Sequence, residues 1–167
     1  MNPELKRLYE AVIGPSRTDY YLDYFERADA RGYSPVSWHW PAFFLGIFWF
    51  LFRKQYAWTM IVLACNLGIS VVTYAVMAMG LPELANPIYF VFTAAFQGLY
   101  IPLHANGIYH RWAKGRLALT SAGHPAQVER QVEILNQVGG INRHLPLIVI
   151  LAMILVMVAA GPTITPQ

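Results

Sequence analysis

Residues 37–56 read Ser37-Trp38-His39-Trp40-Pro41-Ala42-Phe43-Phe44-Leu45-Gly46-Ile47-Phe48-Trp49-Phe50-Leu51-Phe52-Arg53-Lys54-Gln55-Tyr56. The run is apolar enough to enter a bilayer, but Pro41 belongs in a first helical turn, leaving about a dozen helical residues before Arg53-Lys54. At 1.5 Å per residue these reach ~18 Å, short of the ~30 Å hydrocarbon core. Residues 37–54 are therefore expected to form one short re-entrant or interfacial helix, with a full crossing as the alternative.

The charges on either side bear on that choice. Residues 55–82, 84–110 and 144–167 carry no Asp, Glu, Lys or Arg, and each stretch is long enough to cross a bilayer, which needs ~20 apolar residues. Spans are predicted over 56–81, 88–109 and 145–160. Of the 12 basic residues, Lys6, Arg7, Arg17, Arg27 and Arg31 precede the aromatic run, Arg53 and Lys54 end it, and Arg111, Lys114, Arg116, Arg130 and Arg143 lie in 110–144. If 37–54 does not cross, all of them share one side, which the enrichment of cytoplasmic loops in Lys and Arg makes the cytoplasm. A crossing would divide them between the two faces. The expected fold is thus an all-α membrane protein: three transmembrane helices, the short 37–54 helix, and amphipathic cytoplasmic helices.

The 167 residues form one expected domain. An apolar share of 56% with 13% charged residues suits a bilayer protein. The net charge of +3 comes from residues flanking apolar segments, which argues against nucleic acid as a partner. The first 36 residues are rich in charge and lack the apolar core of a cleavable signal, so the first span is expected to direct insertion. Within them, 3–13 and a stretch from Ser16 or Thr18 to Arg31-Gly32 have helical spacing. The second aligns Tyr20, Tyr21, Tyr24, Phe25 and Ala28, a face suited either to the bilayer interface or to packing on the protein's own helices. In 110–144 a helix over 125–138 presents Val128, Val132, Leu135 and Val138, and Gly139-Gly140 ends it.

The motif of 37–56 resembles the signature of an uncharacterised bacterial membrane-protein family, the domain of unknown function 2628: Trp-x-Trp-x-Ala-Phe-Phe-x-Gly-x-x-Trp, then Arg-Lys and an aromatic. Tyr20-Tyr21, Phe25, Asn106-x-x-Tyr109-His110-Arg111 and Gly139-Gly140 are weaker echoes. Pro41 stands where Ala is expected and Phe52 where Tyr is usual. The resemblance implies a multi-pass protein of the bacterial inner membrane and brings no catalytic residue with it.

The chemistry of the chain is sparse. His39, His104, His110, His124 and His144 lack the i, i+4 pairing with carboxylates found in helical metal sites, and no cofactor or metal is expected. The single Cys65 excludes an intrachain disulfide. No Ser, His and Asp set, carboxylate pair or phosphate loop stands out, so an enzyme is not expected. Asn66, Gln97, His104 and Asn106, near a kink expected at Pro102, form a candidate polar pocket and the basis of the alternative function, a small permease or channel. Ala64-x-x-x-Gly68 and Ala94-x-x-x-Gly98 would permit close helix contact, internal or between subunits. The leading expectation is a non-enzymatic accessory, assembly or scaffold subunit, its partners the lipid bilayer and a membrane protein or a second copy. Trp38, Trp40, Phe43, Phe44, Trp49, Arg53, Lys54 and Tyr56 are its candidate docking and anchor residues, with the Arg53-Lys54 side chains reaching head groups.

Overall fold

A computed structural model describes residues 1–160 and is all-helical over them. Helix α1, Pro3–Ile13, starts where the Asn2 side chain accepts the Glu4 N–H at 2.9 Å and stops at Gly14. Helix α2, Thr18–Arg31, ends at Gly32 with φ +74, a left-handed position open to glycine. These two helices have the extents expected.

The aromatic run departs from expectation: it is two short helices, α3 over Trp40–Leu45 and α4 over Ile47–Phe52. Gly46, at φ +51, breaks the helix between them. His39 caps α3, its Nδ1 accepting the Ala42 N–H at 3.0 Å. Two further bonds pin the approach to α3: Ser37 N–H donates to the Leu103 carbonyl and His39 N–H to that of Pro102.

Helix α5, Tyr56–Ala78, has 23 residues. A turn at Gly80 leads into one continuous helix, Pro82–Gly123, of 42 residues, about 63 Å long at 1.5 Å per residue. Its parts are α6 (Pro82–Thr93), a π-helical stretch (Ala94–Tyr100) and α7 (Ile101–Gly123). The π stretch ends two residues before Pro102, where the missing N–H and the ring disturb the preceding turn. The expected 88–109 span therefore starts earlier and does not end at Tyr109; α7 carries on through much of the expected 110–144 loop. Pro125 lies in the turn before α8, Val128–Val138. Helix α9, His144–Ala159, has 16 residues, with Asn142 Oδ1 accepting the His144 and Leu145 N–H groups.

Two of the expected spans, α5 and the long helix, are long and apolar enough to cross a membrane. The described part of the third, α9, reaches only ~24 Å, short of the ~30 Å core.

The molecule has two unlike parts. In the head, α1, α2, α3, α4, α7 and α8 share a core of Tyr9, Val12, Ile13, Tyr21, Phe25, Trp49, Phe50, Ile108, Tyr109 and Leu135. The aromatic face of α2 is spent inside it: Tyr21, Tyr24, Phe25 and Ala28 are buried, and only Tyr20 of the aligned set is exposed. Helix α8 docks on α1 and α7 through Leu135 and Val132. In the arm, α5 packs on α4 and α6, and α9 packs on α4.

Candidate functional site

The candidate docking block divides in two. Trp40 and Phe44 are 60% and 74% exposed, and Phe43 and Leu45 lie beside them at the surface. Their rings join with Trp38 into one patch: Trp38 lies 5.4 Å from both Trp40 and Phe43, and Phe44 stacks at 5.8 Å on Trp40. Trp49 points the other way, 2% exposed, with its ring 4.8 Å from His39. Tyr56 is exposed at the start of α5, its hydroxyl accepting from Asn142 Nδ2 at 3.3 Å. Lys54 Nζ donates to the Gln137 carbonyl in the last turn of α8.

Arg53 corrects the sequence reading most sharply. It does not reach out to head groups; it is 1% exposed. Its Nη2 donates to the Ser16 carbonyl at 2.7 Å, and its Nη1 to the Ile13 carbonyl and the Tyr109 hydroxyl at 3.2 and 3.4 Å. The guanidinium carbon lies 4.4 Å above the Tyr21 ring and 5.1 Å from that of Tyr109. No carboxylate pairs with it among the described residues. Aromatic faces and the carbonyls at the negative end of α1 hold the cation instead. Beside it, His39 is pushed down to about 4, by burial and by the positive charges of Arg53 and Arg17. That neutral ring keeps Nδ1 free to cap α3 while Nε2 meets the Tyr21 hydroxyl at 3.0 Å.

The four candidate pocket residues are not brought together. Gln97 Nε2 donates to Asn66 Oδ1 at 2.9 Å across the arm. His104 bonds the Tyr100 carbonyl one turn back and stacks on that ring at 4.4 Å. Asn106 belongs to the head, donating to the Tyr20 hydroxyl and to Ser37 Oγ. A Cβ at Gly68 or Gly98 would meet nothing within 4 Å among the described residues, so neither glycine is there to admit a close helix contact among them.

A second polar cluster was not visible in the sequence. Asp29, in the last turn of α2, accepts three bonds: from Tyr9 Oη at 2.8 Å, Lys114 Nζ at 3.0 Å and His110 Nε2 at 3.1 Å. His110 Nδ1 in turn faces Ser34 Oγ at 2.9 Å. Burial pushes the Asp29 carboxyl up, but the bonds from Tyr9 and Lys114 and the nearby charges outweigh it and hold it below its usual range. A pocket of about 510 Å³ opens here, lined by Ser34, His110, Arg111 and Lys114 with Ala28, Gly32 and Tyr33. The missed signal was register: Asp29 lies four residues beyond buried Phe25, and His110 four beyond buried Asn106, so both put a titratable group on an inward face.

A family model described as "Protein of unknown function (DUF2628)" matches residues 16–115. No curated protein and no solved structure matches the chain. The matched region begins at the carbonyl that Arg53 holds and includes the aromatic patch, Asp29, Ser34, His110, Arg111 and Lys114.

Proposed function

We propose that this chain, which belongs to the family "Protein of unknown function (DUF2628)", is a multi-pass protein of the bacterial inner membrane. Its helical head lies on the cytoplasmic face and serves a membrane assembly as an accessory or scaffold subunit. The observation that carries this is the surface of the arm. Met60, Leu67, Val71, Tyr74 and Met77 of α5, Phe90 and Val91 of α6, and Leu147, Leu151 and Leu155 of α9 are all exposed. An apolar surface so extensive is unstable in water and at home in lipid.

Charge orients the body. All 12 basic residues belong to the head and its connections, and the far turn between α5 and α6 holds only Glu83 among charged residues. By the excess of Lys and Arg on cytoplasmic segments, the head faces the cytoplasm. The Trp38, Trp40, Phe43, Phe44 patch sits beside 102–103 of the long helix, where head and arm meet, and aromatic rings at that level settle among lipid head groups. In this reading α3 and α4 lie at the interface, and the aromatic patch is the surface by which the head meets lipid and neighbouring membrane proteins.

The test uses single cysteines in a Cys65→Ala background. Arg116→Cys in the head should react with an impermeant maleimide only when the cytoplasmic face is open, and Met79→Cys in the far turn only from outside. Labelling of both positions from one side, or release of the protein from membranes by alkaline carbonate, would overturn the proposal.

A further inference from the structure

We infer that the Ser34–His110–Asp29 chain is a nucleophilic site for acyl transfer, acting on a carboxylic ester that carries an anionic group. The inference stands independently of the scaffold reading and adds an activity to the anchored head.

The hydrogen bonds fix the direction of proton transfer. The Asp29 carboxylate accepts from His110 Nε2, so in neutral His110 the lone pair lies on Nδ1, and that atom faces Ser34 Oγ. A serine hydroxyl, a basic imidazole nitrogen and a carboxylate orienting the ring follow in the order that makes an activated nucleophile. Tyr9 and Lys114 keep Asp29 ionised and in place. His110 is 3% exposed, which fixes its ring, while Ser34 borders the pocket.

Space and charge for a substrate lie beside the serine. A Cβ placed on Gly107 would fall 3.1 Å from Ser34 Cβ and 3.5 Å from Arg111 Nη1. Glycine there lets Ser34 and Arg111 close in on α7 and on each other, and the room for a carbonyl group is the adjoining pocket that Ser34, His110, Arg111 and Lys114 line. Arg111 then faces the oxygen that becomes negative. Lys114, its side chain 57% exposed at the pocket edge, selects an anionic substituent.

In the first step Ser34 Oγ bonds to the carbonyl carbon as its proton moves to His110 Nδ1, and the carbonyl oxygen takes up negative charge beside Arg111. Collapse breaks the bond to the alcohol oxygen, which leaves with the proton from Nδ1. Water then attacks the Ser34 ester by the same route, releasing the carboxylic acid and restoring the hydroxyl. The sum is ester plus water to acid plus alcohol.

The experiment treats the full chain in mild detergent with a fluorophosphonate probe and locates the adduct by peptide mass spectrometry. Hydrolysis of 4-nitrophenyl hemisuccinate, which is anionic, is compared with that of neutral 4-nitrophenyl butyrate. The expected adduct is on Ser34 and vanishes in Ser34→Ala. Loss of the base in His110→Gln slows labelling about 10²- to 10⁴-fold. Lys114→Ala lowers kcat for both esters through its loss from Asp29, and in addition raises KM for the hemisuccinate about tenfold relative to that for the butyrate, a split that a purely structural role would not produce. An unlabelled Ser34 in wild-type protein with an intact melting transition overturns the proposal, as does undiminished labelling of folded His110→Gln. Should His110→Gln fail to fold, the wild-type adduct site decides alone.

Discussion

The head and the arm are both built from helices but held by different means. In the head, side chains distant in sequence meet on one another: Arg53 on Ile13, Ser16, Tyr21 and Tyr109, and Asp29 on Tyr9, His110 and Lys114. In the arm most side chains face outward, and Gln97 to Asn66 is the one side-chain bond between its helices among the described residues. The buried hydrogen bonds that Arg53 and Asp29 make each need particular partners in particular places, so geometry there is specific. On the proposed membrane reading, the arm requires only that apolar surface stay in lipid, which many side chains satisfy equally. Substitutions should therefore be costly and position-dependent in the head, and cheap in the arm.

Arg53→Ala gives the largest effect. It leaves the Ser16 and Ile13 carbonyls without their donor and empties the space between the Tyr21 and Tyr109 rings. Leaving a buried acceptor without its donor costs about 1–3 kcal/mol for each carbonyl. Denaturant unfolding of the purified protein should show that loss, while membrane insertion persists. Arg53→Lys should recover only part of it, since an ammonium cannot serve two carbonyls and a ring face in one plane. An Arg53→Ala head of unchanged stability would break the contrast at its strongest point.

His39 sharpens the same point through pH. Its folded value of about 4 lies below the ordinary 6.5, so the unfolded chain binds a proton that the folded head refuses. Stability is thus full above pH 6.5, falls as pH drops from 6.5 toward 4, and levels off below. The loss is ~3 kcal/mol at most, at ~1.4 kcal/mol per pH unit. Physically, a proton on Nδ1 would set two donors against each other where the ring now caps the Ala42 N–H. His39→Asn keeps a capping oxygen without titrating. The difference between wild type and this variant in unfolding midpoints at pH 7 and pH 4.5 isolates the histidine from the carboxylates; identical slopes would exclude this role.

Gly139→Ala comes next. The added Cβ would lie 2.3 Å from the Val12 carbonyl oxygen and 2.7 Å from that of Leu135, and both are backbone atoms with no rotamer to yield. Overpacking of this kind costs ~1–3 kcal/mol, lost from the seating of α8 on α1. Faster tryptic cleavage at Arg130 would report it, whereas alanine at Gly68 or Gly98, facing open space, should change nothing in the head.

How much of this the sequence discloses follows the same division. The apolar arm was legible because absence of charge over 55–82 and 84–110 is local information. The extents of α1 and α2 were legible from Pro3, Gly14 and Gly32, which act on their own neighbours. The Gly46 break carried a local signal that the apolar run around it masked. Arg53 was misplaced because an Arg-Lys pair after an aromatic run looks interfacial, and the groups to which it donates lie 37 to 56 residues away. Ser34, His110 and Asp29 went unseen for the same reason: Ser34 and Asp29 are 76 and 81 residues from His110. Only folding brings α2 against α7. Of the candidate pocket, Asn66 and Gln97 meet, whereas His104 and Asn106 are close in sequence but turn to different surroundings.

The smallest expected effect is the most informative about the arm. Gln97→Leu removes the bond to Asn66 Oδ1 but leaves Asn66 Nδ2 on the Val62 carbonyl, so no donor is stranded. Bonds between membrane helices average ~0.6 kcal/mol, because the separated helices find other partners. Unfolding of the arm in mixed micelles should shift by about that much, and the denaturant stability of the head not at all. The outcome bears on function as well. A solute path through the arm would need polar groups held in register, and Gln97→Leu would then abolish flux in proteoliposomes while scarcely moving stability. If the arm is lipid-facing support for the head, the variant should instead recover its membrane partners at wild-type levels, because the bond that Gln97 makes is to Asn66 within the arm.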